Sequence, residues 1–147
     1  MDVRVCASSF PQLAVCDCEK DHFVTAEKWH CTVWLDAVAW YLEIPIGFET
    51  DGASIPRFLW TLCGHPMQKP RLYAALVHDW LYEEGSKDGW TRREADMAYR
   101  AMLVQFRWRG RFSRLCAALE YYALRMFGAS RFNTNTNTNT KEKEQTK

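Results

Sequence analysis

A chain of 147 residues with 48% apolar and 14% aromatic side chains has the material for one domain with a substantial core. Its formal net charge of +1 provides no bulk attraction to nucleic acid or an anionic membrane, and no apolar run reaches the roughly 18 residues of a membrane span. The opening MDVRVCASSF lacks the apolar stretch of a secretory signal, so the six cysteines are expected to be reduced thiols rather than disulfides.

The first half reads as β. Residues 2–7 form a short strand candidate. Residues 23–36 (FVTAEKWHCTVWLD) and 39–50 (AWYLEIPIGFET) are rich in β-branched and aromatic side chains with partial alternation. A turn at Asp36, Ala37 and Val38 would pair them as a hairpin, with Pro45 on an edge or at a bulge. Cys16, Cys18, His30 and Cys31 look like a metal set on paper. The Cys-x-Cys spacing and the adjacency of the second pair argue against structural zinc.

The second half reads as α. Residues 55–62 predict a short helix, with Ser54 placed to cap it. Pro70 opens a second helix that ends before Gly85. Thr91 and Glu94 form a capping box for a third, running to about Trp108. A fourth spans residues 112–127, with Gly128 as its stop. After Phe132 the chain is NTNTNTNT followed by KEKEQTK. With no apolar side chain to repay ordering entropy, residues 133–147 are expected to be a disordered tail on a single α+β domain. The expected architecture is a small antiparallel sheet from the first half, covered on one side by about four helices from the second.

Two polar positions stand out in KPRLYAALVHDWLYEEG. Its apolar residues point all round the helix, which must therefore be buried on most sides. His78 and Asp79 sit in the middle of that surface, where an unpaired ion costs roughly several kcal/mol. They need partners. Tyr82, four residues on, can reach the His78 ring. Asp96 becomes a partner if the third helix packs on the second, and Arg57 and Arg93 are candidate counter-charges. In GFETDGASIPR, Asp51 and Ser54 either bond nearby backbone at a strand-to-helix corner or face a polar site. Cys63 and Cys116 read as core fillers. The run RWRGRFSR could grip phosphate, but the rest of the chain balances its charge, which argues against nucleic acid.

Three segments in order, TDGASIPR, then HDWLY, then an Ala-Asp pair on a later helix, resemble a domain-of-unknown-function family widespread in tailed bacteriophages and prophages. The resemblance covers about residues 47–128. It implies a phage origin, places the chain in a host cytoplasm or a virion, and picks out Asp51, Ser54, His78, Asp79 and Asp96 as shared polar positions. It implies no activity. Three function classes stay open. One is a hydrolase-like site using those five residues, with or without a divalent metal held by His78, Asp79 and Asp51; cell wall or a host nucleotide would be its substrate. Another is a virion tail, baseplate or assembly component whose cluster is structural. The last is a binding protein that antagonises a host factor. Other phage proteins or a host factor are the expected partners.

Overall fold

The computed structural model describes residues 1–15, 22–52, 55–65, 68–85, 87–106, 111–129 and 132. Ser54, Cys16, Cys18, the residues 107–110 of the arginine-rich run and the expected tail at 133–147 lie outside them.

Six strands precede four helices: β1 (Val3–Cys6), β2 (Leu13–Val15), β3 (Phe23–Thr25), β4 (Trp29–Leu35), β5 (Val38–Ile44), β6 (Glu49–Thr50), α1 (Arg57–Cys63), α2 (Lys69–Trp80), α3 (Arg92–Phe106) and α4 (Arg111–Phe127). The fold is α+β, as expected. The β half is not one sheet, however. One antiparallel sheet has the order β1-β4-β5 and another the order β2-β3-β6.

Both long strand candidates are broken where the chain changes sheet. Thr25 is the pin. Its hydroxyl donates to the Pro45 carbonyl at 2.6 Å and accepts from the Phe48 amide at 2.9 Å, while its carbonyl accepts from the Gly47 amide at 2.9 Å. Pro45, with no N–H to give a ladder, ends β5, and Gly47 turns at φ 81°, a conformation that costs other residues roughly 1–2 kcal/mol. Asp36, at φ 52°, makes the two-residue β4–β5 hairpin turn, a backbone region Asp tolerates. Its carboxylate accepts from the Asp2 amide at 2.7 Å and so fastens β1 beside the hairpin.

Strand β4 alternates, with Trp29, Cys31 and Val33 buried. These pack with Val5, Leu42 and Ile44 into one continuous core with the helices. Helix α2 is the centre of that core. Ala74, Ala75, Leu76 and Val77 are each at most 1% exposed, so all sides of this stretch are covered. Helix α3 packs against α2, α4 and β1, and β6 packs against α2. Past Trp80 the helix widens into a π-helical turn, Leu81–Gly85. The Thr91–Glu94 box forms as expected: the Glu94 carboxylate accepts from the Thr91 amide at 2.7 Å, and the Thr91 hydroxyl accepts from the Glu94 amide at 3.3 Å.

Candidate functional site

The three motif segments meet around α2. Helix α3 lies against α2 with Asp96, fully buried, facing His78. His78 Nε2 is 2.9 Å from Asp96 Oδ1, and its Nδ1 is 3.5 Å from Asp79 Oδ1. The imidazole therefore sits between two carboxylates. Tyr82, one turn along, lies tilted against the His78 ring with centroids 4.1 Å apart and donates its hydroxyl to Asp96 Oδ1 at 2.7 Å. Tyr99 meets the same ring edge-on at 5.7 Å.

From the strand side, the Thr50 hydroxyl donates to Asp79 Oδ2 at 2.6 Å and accepts from the Gly52 amide at 3.2 Å. The TDG corner thus reaches the helix through Thr50. Asp51 is half-buried beside it in the chain. Phe48 braces the approach, its ring meeting Trp80 edge-on at 5.1 Å. Thr50 was invisible as a site residue in the sequence because its role depends on β6 lying across α2.

The counter-charges are not Arg57 and Arg93. Arg57 lies over the Trp60 ring, 5.8 Å from its centroid. Arg125 Nη1 instead donates to Asp96 Oδ2 at 3.0 Å, and Arg92 Nε lies 3.8 Å from the same oxygen. Arg92 also donates to the Tyr82 hydroxyl oxygen at 3.2 Å and to the Leu124 and Arg125 carbonyls at 2.7 Å each. It occupies the C-terminal end of α4, where a cation meets unsatisfied carbonyls. Arg125 comes from 29 residues beyond Asp96, and local spacing carries no trace of such a pairing.

These contacts set the charge states. Burial pulls the His78 imidazolium down, but the Asp79 and Asp96 carboxylates outweigh it and hold its pKa above the ordinary value. Burial likewise pushes the Asp96 carboxyl up, and His78, Tyr82 and Arg125 together hold it below the usual carboxylate range. Burial, then the Asp96 charge, drives the Tyr82 phenol upward, so it stays a hydrogen-bond donor. The two carboxylates favour the protonated form of the imidazole, and a ring held in that form is a poor general base.

A second buried network adjoins the first. Arg71 donates from Nε to both Glu120 oxygens at 3.0 and 2.9 Å, and from Nη2 to Glu120 Oε1 at 2.8 Å. Its other donors reach the carbonyls of Cys63, Gly64 and His65. The Tyr99 hydroxyl donates to Glu120 at 2.9 Å, so Tyr99 touches both networks. Arg71 and Glu120 are 2% and 0% exposed. The signal was present for Glu120, the lone charge in the apolar run LCAALEYYAL; Arg71, two residues after Lys69 at the start of α2, carried none.

The residues do not suit a divalent ion. Among the described residues, no group of three or more His, Cys, Asp or Glu side chains is arranged to hold a metal. Both His78 nitrogens already face carboxylate oxygens, leaving the His78, Asp79 and Asp51 set without an available imidazole lone pair. His30 and Cys31 are neighbours on β4 and point to opposite faces. His30 stacks on Tyr41, whereas Cys31 is buried with its thiol pushed up to about 12 by desolvation, far from the thiolate a metal needs. Cys63 and Cys116 are buried, as core fillers should be.

Residues 27–122 match a family described as "Protein of unknown function (DUF1353)". The matched stretch contains Thr50, His78, Asp79 and Asp96 and stops short of Arg125. Over 44 residues the chain is 39% identical to "Uncharacterized protein y4jT" of Sinorhizobium fredii (strain NBRC 101917 / NGR234), a stretch that is 30% of this chain and 13% of that protein. The chain therefore spans a small fraction of that relative's length. No solved structure matches it.

Proposed function

The chain belongs to the DUF1353 family of proteins of unknown function, and we propose that it is a structural or assembly component of tailed-phage particles, such as a tail or baseplate protein. In this reading the His-Asp cluster is a helix clamp. The observation that carries it is the sealing of the cluster: Asp96 is 0% exposed and both nitrogens of His78 are committed to carboxylates. A substrate would have to displace Tyr82 or Tyr99 to reach the ring. The phage setting rests on the order of the TDGASIPR, HDWLY and Ala-Asp motifs. The abundance of exposed aromatic and aliphatic side chains, among them Trp40, Tyr41, Phe58 and Tyr122, supports a protein that works through interfaces. The test is mass spectrometry of particles purified from a lysogen that encodes the chain, paired with its deletion. Copies in the particle or in stalled assembly intermediates are expected. Absence from both, with normal particle yield after deletion, ends this reading.

One observation favours a hydrolase instead. Asp79 is the more accessible of the two carboxylates, its side chain 16% exposed against 0% for Asp96. It accepts from Thr50 beside the Asp51-Gly52 turn, where it would act as the general base on water or substrate. Purified protein would then degrade cell-wall material or a nucleotide, and Asp79→Asn would abolish turnover in a protein that still folds, with a lower unfolding midpoint because His78 loses one of its two carboxylates. No turnover by the wild-type chain on either substrate class removes it.

A further inference from the structure

Helix α4 is apolar on two faces. Its inner face carries Cys116, Ala117, Glu120, Ala123 and Leu124, all buried. Leu115, Leu119, Tyr122 and Met126 follow one another at spacings of four, three and four residues. At about 100° per residue they fall within about 60° of one another, on the side away from Glu120. Leu119 is half-buried, whereas Leu115, Tyr122 and Met126 are 52, 63 and 72% exposed. The spacing is that of a coiled-coil seam. Helix α1 packs beside α4. The Leu62 carbonyl lies 3.9 Å from Cys116 Sγ, and Phe58, one turn earlier on α1, is 72% exposed.

Charge selects what can cover this surface. Among the described side chains, the charged groups exposed on the outer faces of α1 and α4 are the arginines Arg57 and Arg114, Arg125 being held by Asp96. The one acid on these two helices, Glu120, is sealed inside with Arg71. A second copy laid on this face would bring only more arginine and no exposed acid to meet Arg57 and Arg114, and a surface with no charge complementarity to itself disfavours pairing. We propose that the α1–α4 face docks an acidic amphipathic helix of a partner protein, its apolar residues spaced four, three and four into the seam and its carboxylates meeting Arg114 and Arg57. The inference does not depend on what the His78 cluster does, because Arg57, Arg114, Leu115, Tyr122 and Met126 take no part in that cluster.

The test uses the whole chain and three probes. They are a short helical peptide with leucines at that spacing and glutamates beside them, the same peptide with lysines replacing the glutamates, and vesicles of phosphatidylglycerol. The acidic peptide should bind, weaken as salt rises, and lose about tenfold or more in affinity with Tyr122→Asp or Met126→Asp. Arg114→Glu should weaken the acidic peptide and strengthen the lysine peptide. These residues are at the surface, so unchanged circular dichroism and melting are expected for each variant. Equal binding of both peptides, no binding of either, or indifference to these substitutions overturns the proposal. Vesicle binding that exceeds peptide binding overturns it in favour of a membrane surface. A concentration-dependent dimer abolished by Met126→Asp overturns it in favour of self-association.

Discussion

His78 gains its charge from its neighbours, and that has a pH signature. Its pKa is raised by Asp79 and Asp96 against burial. The stability it contributes is complete below its ordinary value of about 6.5 and is lost as pH rises through the elevated folded value. Asp96 behaves in the opposite sense. Its pKa is lowered, so its contribution is complete above about 3.8 and is lost as pH falls through the depressed folded value. Urea midpoints should therefore fall as pH rises above about 6.5, and His78→Gln should remove that slope. A wild-type chain with no such slope would contradict the charged imidazole. Asp96→Asn keeps the shape but leaves His78 and Arg125 facing a neutral amide. Stranding buried charge in this way costs about 3 kcal/mol or more, read from equilibrium unfolding. By contrast Lys28 and Glu43, 2.8 Å apart but both half exposed, form a pair whose loss should leave the midpoint unchanged.

Among the elements, α1 is the one held from outside. It has seven residues, no side-chain cap at its start and no acid in its first turn, so little of its order is intrinsic. The Arg71 guanidinium gathers the carbonyls at its C-terminal end and is itself neutralised by Glu120 of α4. Glu120→Gln should thus do more than cost about 3 kcal/mol for a broken buried pair. It should speed amide hydrogen exchange across residues 57–63 more than across α3. Replacing Arg71 and Glu120 together by methionine should be milder than either single change, because no charge is then left behind. Helix α3 begins on its own resources. Thr91→Ala removes the hydroxyl that accepts from Glu94 and should cost about 1 kcal/mol, without disturbing α1.

At the level of the whole molecule, polar contacts join the two sheets and the helical layer. Thr50 ties β6 to α2 through Asp79, and Thr25 ties the corner at Pro45 to the second sheet. Thr50→Val removes the hydroxyl that donates to Asp79 from the sheet side. It should lower the melting temperature and raise exchange at residues 47–52 while leaving the α3–α4 pairing intact. If α4 loosens equally, the sheet and the helices are one cooperative unit and the local account fails.

The sequence by itself determined the class of fold, because periodicity and turn chemistry are local. Residues 29–35 alternate, residues 72–82 are apolar all round, and Thr91 with Glu94 announces a helix start. It also determined that His78 and Asp79 needed partners, since ionised groups inside an apolar helix are too costly to stand alone. Only the tertiary structure decided who those partners are. Arg125 reaches Asp96 from the far end of α4, Thr50 reaches Asp79 from another layer, Arg57 lies over Trp60 and Arg93 is exposed. The two long strand candidates divide between two sheets for the same reason. Their residues favour extended backbone equally well in either place, and it is Thr25, meeting Pro45 from twenty residues away, that fixes where each one breaks.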